Sequence, residues 1–173
     1  MGDYFREGTI AFDLGKSCTG WAIMNGSKLL GYGRRSFENL DTPELYDAMV
    51  SLLDGVHASA FNQTGHKPLV AAMEAAEHQR GSAQEAYAPL YVALRVWARA
   101  HLMGVAKVYS GTIKKVVTGS GRAPKEEVVA AINQTYGLTL SVAKKSADHN
   151  VADAIGAGLT AWTLDQLDQL VLI

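Results

Sequence analysis

Asp13, Glu74 and Asp153 are the residues whose types and positions could carry chemistry. Asp13 closes the apolar run Thr9-Ile10-Ala11-Phe12-Asp13, Glu74 closes a second run beginning at Pro68, and Asp153 lies in the stretch Ala152-Asp153-Ala154. Acids at the ends of two strands and a third on a helix can converge on one sheet edge although they are distant in sequence. Their oxygens suit hard cations such as magnesium or manganese. A pair of such ions can activate a water and stabilise the leaving oxygen of a phosphodiester. Each acid alone is more simply a solvated strand end or a helix cap. Three at compatible topological positions favour the metal reading.

The elements that must position these acids are legible in the hydrophobic pattern. Strands are predicted over 9–13, 19–25 and 28–37, the last two joined by the hairpin signal Asn25-Gly26. Thr42 supplies a capping hydroxyl before Pro43, and Leu45, Met49, Leu52, Leu53 and Val56 then recur at helical spacing, so a helix is expected over about 43–60. A buried strand follows at 68–74. Residues 83–103 read as a long helix with Leu90, Leu94, Trp97 and Leu102 on its apolar side, and Pro89 either kinks it or marks its start. A short strand at 106–109 leads to helices at 112–118 and 124–136, separated by Gly119-Ser120-Gly121 and closed by Gly137. The last helix, about 150–170, begins near Asp148 as its cap and turns alanine and glycine toward the sheet. The order implies one α/β domain spanning 1–173, a mixed sheet with an antiparallel start and later crossovers.

Composition narrows the classes. With 48% hydrophobic and 19% charged residues in 173, the chain is a folded protein rather than a disordered one. Cys18 stands alone, which excludes an internal disulfide framework and a cysteine zinc cluster and suits a reducing, cytoplasmic setting. Neither a secretion signal nor a membrane span is expected. The net charge of −1 conceals a division: residues 91–145 hold nine lysines and arginines against two glutamates, a local +7, leaving −8 elsewhere. Solvated helix faces would account for this as well as a DNA-facing flank beside an acidic centre.

Read together, Ala11-Phe12-Asp13-Leu14-Gly15, Thr19-Gly20-Trp21-Ala22, Ala72-Met73-Glu74, the segment from Ile113 to Val128 and Ala152-Asp153-Ala154-Ile155 resemble the RuvC-type Holliday junction resolvases. Lys114-Lys115-Val116-Val117-Thr118-Gly119-Ser120-Gly121-Arg122-Ala123-Pro124-Lys125 is the most specific of these motifs. The resemblance implies a ribonuclease-H-like fold with a five-stranded mixed sheet, a homodimer, and Mg2+-dependent paired nicking of four-way and branched DNA, with Mn2+ able to substitute; the apolar helix over 83–103 is the expected dimer contact. It matches Asp13, Glu74 and Asp153 to metal-binding acids, and Lys114 and Lys125 to basic positions near the scissile strand. Lys115 and Arg122 in the same motif complete the DNA-binding set, with a solvated helix lysine as the plain alternative for Lys115, Lys144 and Lys145.

Two departures from that pattern stand out. The family's fourth acid or histidine, three residues before the helix acid, is Asn150 here. Its amide oxygen can bind magnesium without supplying charge, while His149, four before Asp153, shares the helix face and could shuttle a proton. His149 and Asn150 rank together, with Asp148 behind. The second departure follows Glu74, where Ala75-Ala76-Glu77-His78 lacks the aromatic wedge of some relatives; Glu77 reads first as a surface residue. The short, divergent form resembles phage-encoded members, which would place it in the cytoplasm of a bacterial host. Competing readings are a nuclease for structured RNA and a non-catalytic nucleic-acid-binding module. Sugar-kinase and actin-like ATPases also open with Asp-x-Gly after a strand, but need two lobes around a nucleotide; no nucleotide cofactor and no membrane partner are expected.

Overall fold

The computed structural model describes residues 8–75, 82–143, 146–167 and 169–173. Its elements run β1 (Thr9–Asp13), β2 (Cys18–Asn25), β3 (Lys28–Ser36), α1 (Thr42–Thr64), β4 (Val70–Glu74), α2 (Ser82–Ala100), β5 (Gly104–Val108), α3 (Ser110–Thr118), α4 (Lys125–Tyr136) and α5 (Asp148–Gln166). They build one five-stranded sheet in the order β3-β2-β1-β4-β5. The first three strands pair antiparallel, and β4 and β5 add parallel to β1, as the expected mixed α/β order requires.

Several boundaries depart from the sequence reading for local reasons. α1 is capped by Asp41, not Thr42: the Asp41 carboxylate accepts from the Glu44 N–H at 2.9 Å, and Glu44 accepts from the Asp41 N–H at 3.0 Å. This reciprocal box satisfies two backbone donors, which one hydroxyl could not. The helix then continues to Thr64 and stops at Gly65, whose φ of 75° suits glycine. Pro89 lies inside α2, where buried Leu90, Ala93, Leu94 and Trp97 hold the helix through the lost hydrogen bond. Leu102 is not on an apolar helix face. The helix has ended, Leu102 takes φ 57°, and its side chain is 89% exposed.

The two faces of the sheet carry different side chains. Toward α1 and α2 point Ile10, Phe12, Ile23, Met73 and Val105, meeting Met49, Leu53, Leu90 and Leu94. Trp97 Nε1 donates to Asp54 Oδ1 at 2.8 Å and ties the two helices together. Toward α5 the same strands present Ala11, Ala22, Ala72 and Ala106. α5 answers with its own small residues, so helix and sheet approach closely. A Cβ at Gly20 would stand 2.0 Å from the Asn150 carbonyl oxygen, and one at Gly158 would stand 3.1 Å from the Ala11 Cβ. The expected alanine- and glycine-rich side of the last helix therefore does face the sheet.

β5 is an edge strand, partly paired by the end of the chain. Leu172 bridges antiparallel to Ala106, and Ile173 and Val105 exchange backbone hydrogen bonds of 3.0 and 3.4 Å. Leu172 occupies the space a side chain at position 104 would fill: a Cβ on Gly104 would lie 2.8 Å from its Cδ1.

Candidate active site

β1 and β4 run parallel and in register through Phe12 and Met73, so Asp13 and Glu74 follow side by side at the strand ends. α5 crosses above them and lowers Asp153 toward the same point. The three acids, Leu14, Ala75, Tyr87 and Lys125 line one open cleft of ≈ 110 Å³. Lys125, the first residue of α4, places Nζ 3.4 Å from Asp153 Oδ2.

Electrostatics bind the group together. Burial, then the charges of Asp153 and Glu74, hold the Asp13 carboxyl well above the ordinary carboxylate range. Glu74 is raised by burial and by Asp153, against a hydrogen bond from Ser110 and the charges of Lys125 and Lys114. Burial also raises Asp153, opposed chiefly by Lys125. Burial disfavours the Lys125 ammonium, yet Asp153, Asp13 and Glu74 outweigh it, and its pKa is raised. Crowded acids with one shared cation are an arrangement that costs folding energy and gains from added positive charge. Among the described residues no three histidine, cysteine, aspartate or glutamate side chains stand close enough together to hold a metal ion. The acids border the cleft without closing on a single point. Their donor set, three carboxylates, still matches a hard divalent cation.

The remaining site residues expected from the sequence fall at different distances from this cleft. Lys114 on α3 is half-buried, and its charge reaches both Glu74 and Asp153. Lys115 is exposed in the last turn of α3, where a cation also favours the helix dipole. Arg122 is exposed on the turn between α3 and α4. His149 is 4% exposed, with Nε2 2.9 Å from the Ala143 carbonyl. Because a carbonyl only accepts, Nε2 is the donor, and Nδ1 is buried without a hydrogen-bond partner. The Asn150 amide nitrogen donates to the Cys18 carbonyl at 2.7 Å, and the residue borders the recess beside the acid cleft rather than the cleft itself. Asp148 is not the helix cap: Ala147 takes that position, and the Asp148 carboxylate pairs with Arg34 and accepts from the Ser141 N–H at 2.8 Å. It closes the connection between α4 and α5. Glu77, His78, Lys144 and Lys145 lie outside the described residues.

Two residues that touch Glu74 were not expected. Tyr87 donates to the Glu74 carbonyl at 3.3 Å and its phenol is pushed well up by burial, then by Tyr91, Asp13 and Glu74. Ser110 hydrogen-bonds the Glu74 side chain. Ser110 follows β5, whose Val108 pairs with Glu74, so a strand order would have placed it; nothing in the local pattern singles out Tyr87.

A mixed five-stranded sheet in the order β3-β2-β1-β4-β5, with α1 and α2 on one face and α5 on the other, is a ribonuclease-H-like fold. No family model matches the chain. The crossover junction endodeoxyribonuclease RuvC of Anaplasma marginale (strain Florida) is 27% identical over 157 residues, 87% of this chain and 90% of that protein. Thermus thermophilus RuvC superimposes with a TM-score of 0.75 at 18% identity, over 96% of this chain and 99% of that one. Its complex with a Holliday junction substrate gives 0.78 over the same shares. The resemblance to the RuvC-type proteins thus holds in sequence along most of the chain and in fold.

Proposed function

We propose that this protein is a divalent-metal-dependent, structure-selective endonuclease that resolves four-way and related branched DNA by paired nicking. The observation that carries the reading is the meeting of Asp13, Glu74, Asp153 and Lys125 at one cleft of a RuvC fold. Asp13, Glu74 and Asp153 would hold magnesium or manganese, with the Asn150 oxygen as a neutral fourth donor. The bound ions would activate water and stabilise the leaving oxygen. Lys125, already charged beside Asp153, faces the developing negative charge on the phosphoryl group, where a fixed cation has most effect. Lys114 supports it from α3, and Arg122 on the adjoining turn meets the strand backbone. His149, held by Ala143, positions the start of α5 and carries the proton-shuttle role only if that hydrogen bond opens.

Paired nicks on symmetry-related strands call for two active sites, and the chain carries one such cleft among its described residues. A homodimer is therefore part of the reading, supported by the outer face of α2, where Val92 and Val96 are 53% and 54% exposed. The protein would act in the cytoplasm of a bacterium, a phage host included. No helix is long and apolar enough to cross a membrane, within the described residues.

The test is purified protein with labelled four-way junction, duplex and structured RNA, with and without Mg2+. Junction cleavage dependent on the ion is expected. Asp13→Asn and Asp153→Asn should each lose at least about a thousandfold in rate, roughly 4 kcal/mol of barrier, with binding retained. Near-wild-type cleavage by either variant rules out the assigned site. Sedimentation with and without junction reports the dimer.

A further inference from the structure

Beside the acid cleft lies a second recess, larger and of opposite character. Lys16, Ser17, Lys125, Ser146 and Asn150 line it together with backbone of the β1–β2 turn, and no carboxylate does. Lys125 borders both recesses. Lys125, paired with Asp153, thus stands between a pocket of three acids and a recess whose polar side chains are Lys16, Ser17, Ser146, His149 and Asn150, the Asn150 amide nitrogen already donating to the Cys18 carbonyl.

The turn that presents Lys16 and Ser17 is fixed from several sides. The Thr19 hydroxyl accepts from the Gly15 N–H and donates to the Gly15 carbonyl, both at 3.2 Å. Asn150 holds the Cys18 carbonyl from α5, and the Phe37 N–H donates to the Ser17 carbonyl at 3.0 Å. A Cβ at Gly15 would come within 2.5 Å of the Cys18 oxygen, so the turn is closed to any larger residue. Yet Lys16 and Ser17, at its tip, are exposed, and Lys16 is in no ion pair among the described residues. Neither side chain packs in the core that the turn joins. The braced turn thus holds a lysine and a hydroxyl toward solvent beside the acid cleft.

We propose that this recess is a second phosphate site, which takes the phosphate neighbouring the scissile one on the same strand. The inference rests on the nuclease reading and names a contact within it. Successive phosphates of one strand advance only about 3.4 Å along the duplex axis, so two adjacent pockets sharing Lys125 suit two consecutive phosphates. The acid pocket repels an unaccompanied phosphate, and the basic one attracts it. Binding the neighbour first fixes the register of the strand over Asp13, Glu74 and Asp153 without requiring any base to be read.

The test pairs Lys16→Ala with four-way junctions carrying a single uncharged methylphosphonate one nucleotide to the 5′ or the 3′ side of the cleaved bond. Affinity is measured in Ca2+ and single-turnover cleavage in Mg2+. Lys16→Ala should weaken binding to the unmodified junction about tenfold, the size of one charge-assisted contact. Its log–log salt dependence should become shallower by about 1. One of the two methylphosphonates should weaken wild-type binding by a similar factor and weaken Lys16→Ala no further. Lys16→Arg should restore the wild-type pattern. If the losses multiply with both modified junctions, Lys16 touches neither neighbour and the site is wrong, while the nuclease reading stands. If the wild-type protein neither binds nor cuts the unmodified junction, the nuclease reading fails and this site falls with it.

Discussion

The strands present Ile10, Phe12, Ile23 and Met73 to α1 and α2, and Ala11, Ala22, Ala72 and Ala106 to α5. One face is an ordinary core in which large side chains interdigitate. On the other, alanines and glycines among Met24, Val70 and Val108 let a helix backbone come close to the strands, nearest at Gly20. The first arrangement contributes most of the buried apolar area and tolerates adjustment, because flexible side chains share any change. The second adds less area per residue but fixes a distance at Gly20, where strand backbone meets the Asn150 backbone and cannot yield. Asp153 hangs from the second face. The fold therefore divides its labour, with stability drawn from α1 and α2 and placement of the acid from α5.

Among changes to the two packing faces, Gly20→Ala should show the largest effect on rate. Its Cβ would collide with the Asn150 carbonyl, which belongs to backbone. We expect destabilisation above the ~1–3 kcal/mol of ordinary overpacking and cleavage per folded molecule down by about 100-fold, the effect of a misplaced group. Thermal melts and single-turnover rates on the soluble fraction check both. Leu53→Ala, fully buried on the other face, should cost about 2–5 kcal/mol while cleavage per folded molecule stays within twofold of wild type. If Leu53→Ala impairs chemistry as severely as Gly20→Ala, the division of labour between faces is wrong.

A smaller effect concerns the acids themselves, whose carboxyls are raised by burial first and by one another. A raised carboxyl binds its proton in the folded state at pH values where the unfolded chain has lost it. Stability of the metal-free protein should therefore fall as pH rises from the ordinary carboxylate range through the raised values, and be regained on acidification. Asp13→Asn removes the most buried charge, so it should flatten that dependence and raise Tm at neutral pH by a few degrees, at about 2–4 °C per kcal/mol. Added Mg2+ should raise the wild-type Tm and leave that of Asp13→Asn nearly unmoved. A variant that melts below wild type at neutral pH would contradict the electrostatic account. Met49→Leu, an almost volume-conserving change in the α1 face, should be smallest, under about 1.5 kcal/mol with no change in rate.

The contrast also explains what the sequence reveals. Asp13 and Glu74 were legible because each ends an apolar strand run, and the alternation that buries Phe12 and Met73 on one face puts Ala11 and Ala72 on the other. Asp153 was legible through its Ala-Asp-Ala setting and the resemblance it supports. Residues that act through tertiary contacts were not. The capping box at Asp41 was missed because Thr42 offers a plausible hydroxyl one residue later, and only reciprocal pairing with Glu44 decides between them. Asp148 looked like a cap because capping is local, whereas its partners, Arg34 and Ser141, lie across the molecule. Tyr87 reaches Glu74 from the opposite helical layer, a relation no spacing encodes.

The bridge between Leu172 and Ala106 also bears on how the protein behaves in concentrated solution. A strand at the margin of a sheet offers unpaired backbone groups to any neighbour, a common route to aggregation. At the β3 margin Lys28, Arg34 and Arg35 supply charge that discourages such pairing. β5 has only Lys107 for that purpose, and the terminal residues screen it by pairing with the chain's own backbone. Removing 170–173 should leave cleavage at low concentration intact while bringing on turbidity as concentration rises. Residues 170–173 would then serve as a solubility device, whose worth appears only when many copies of the protein are present.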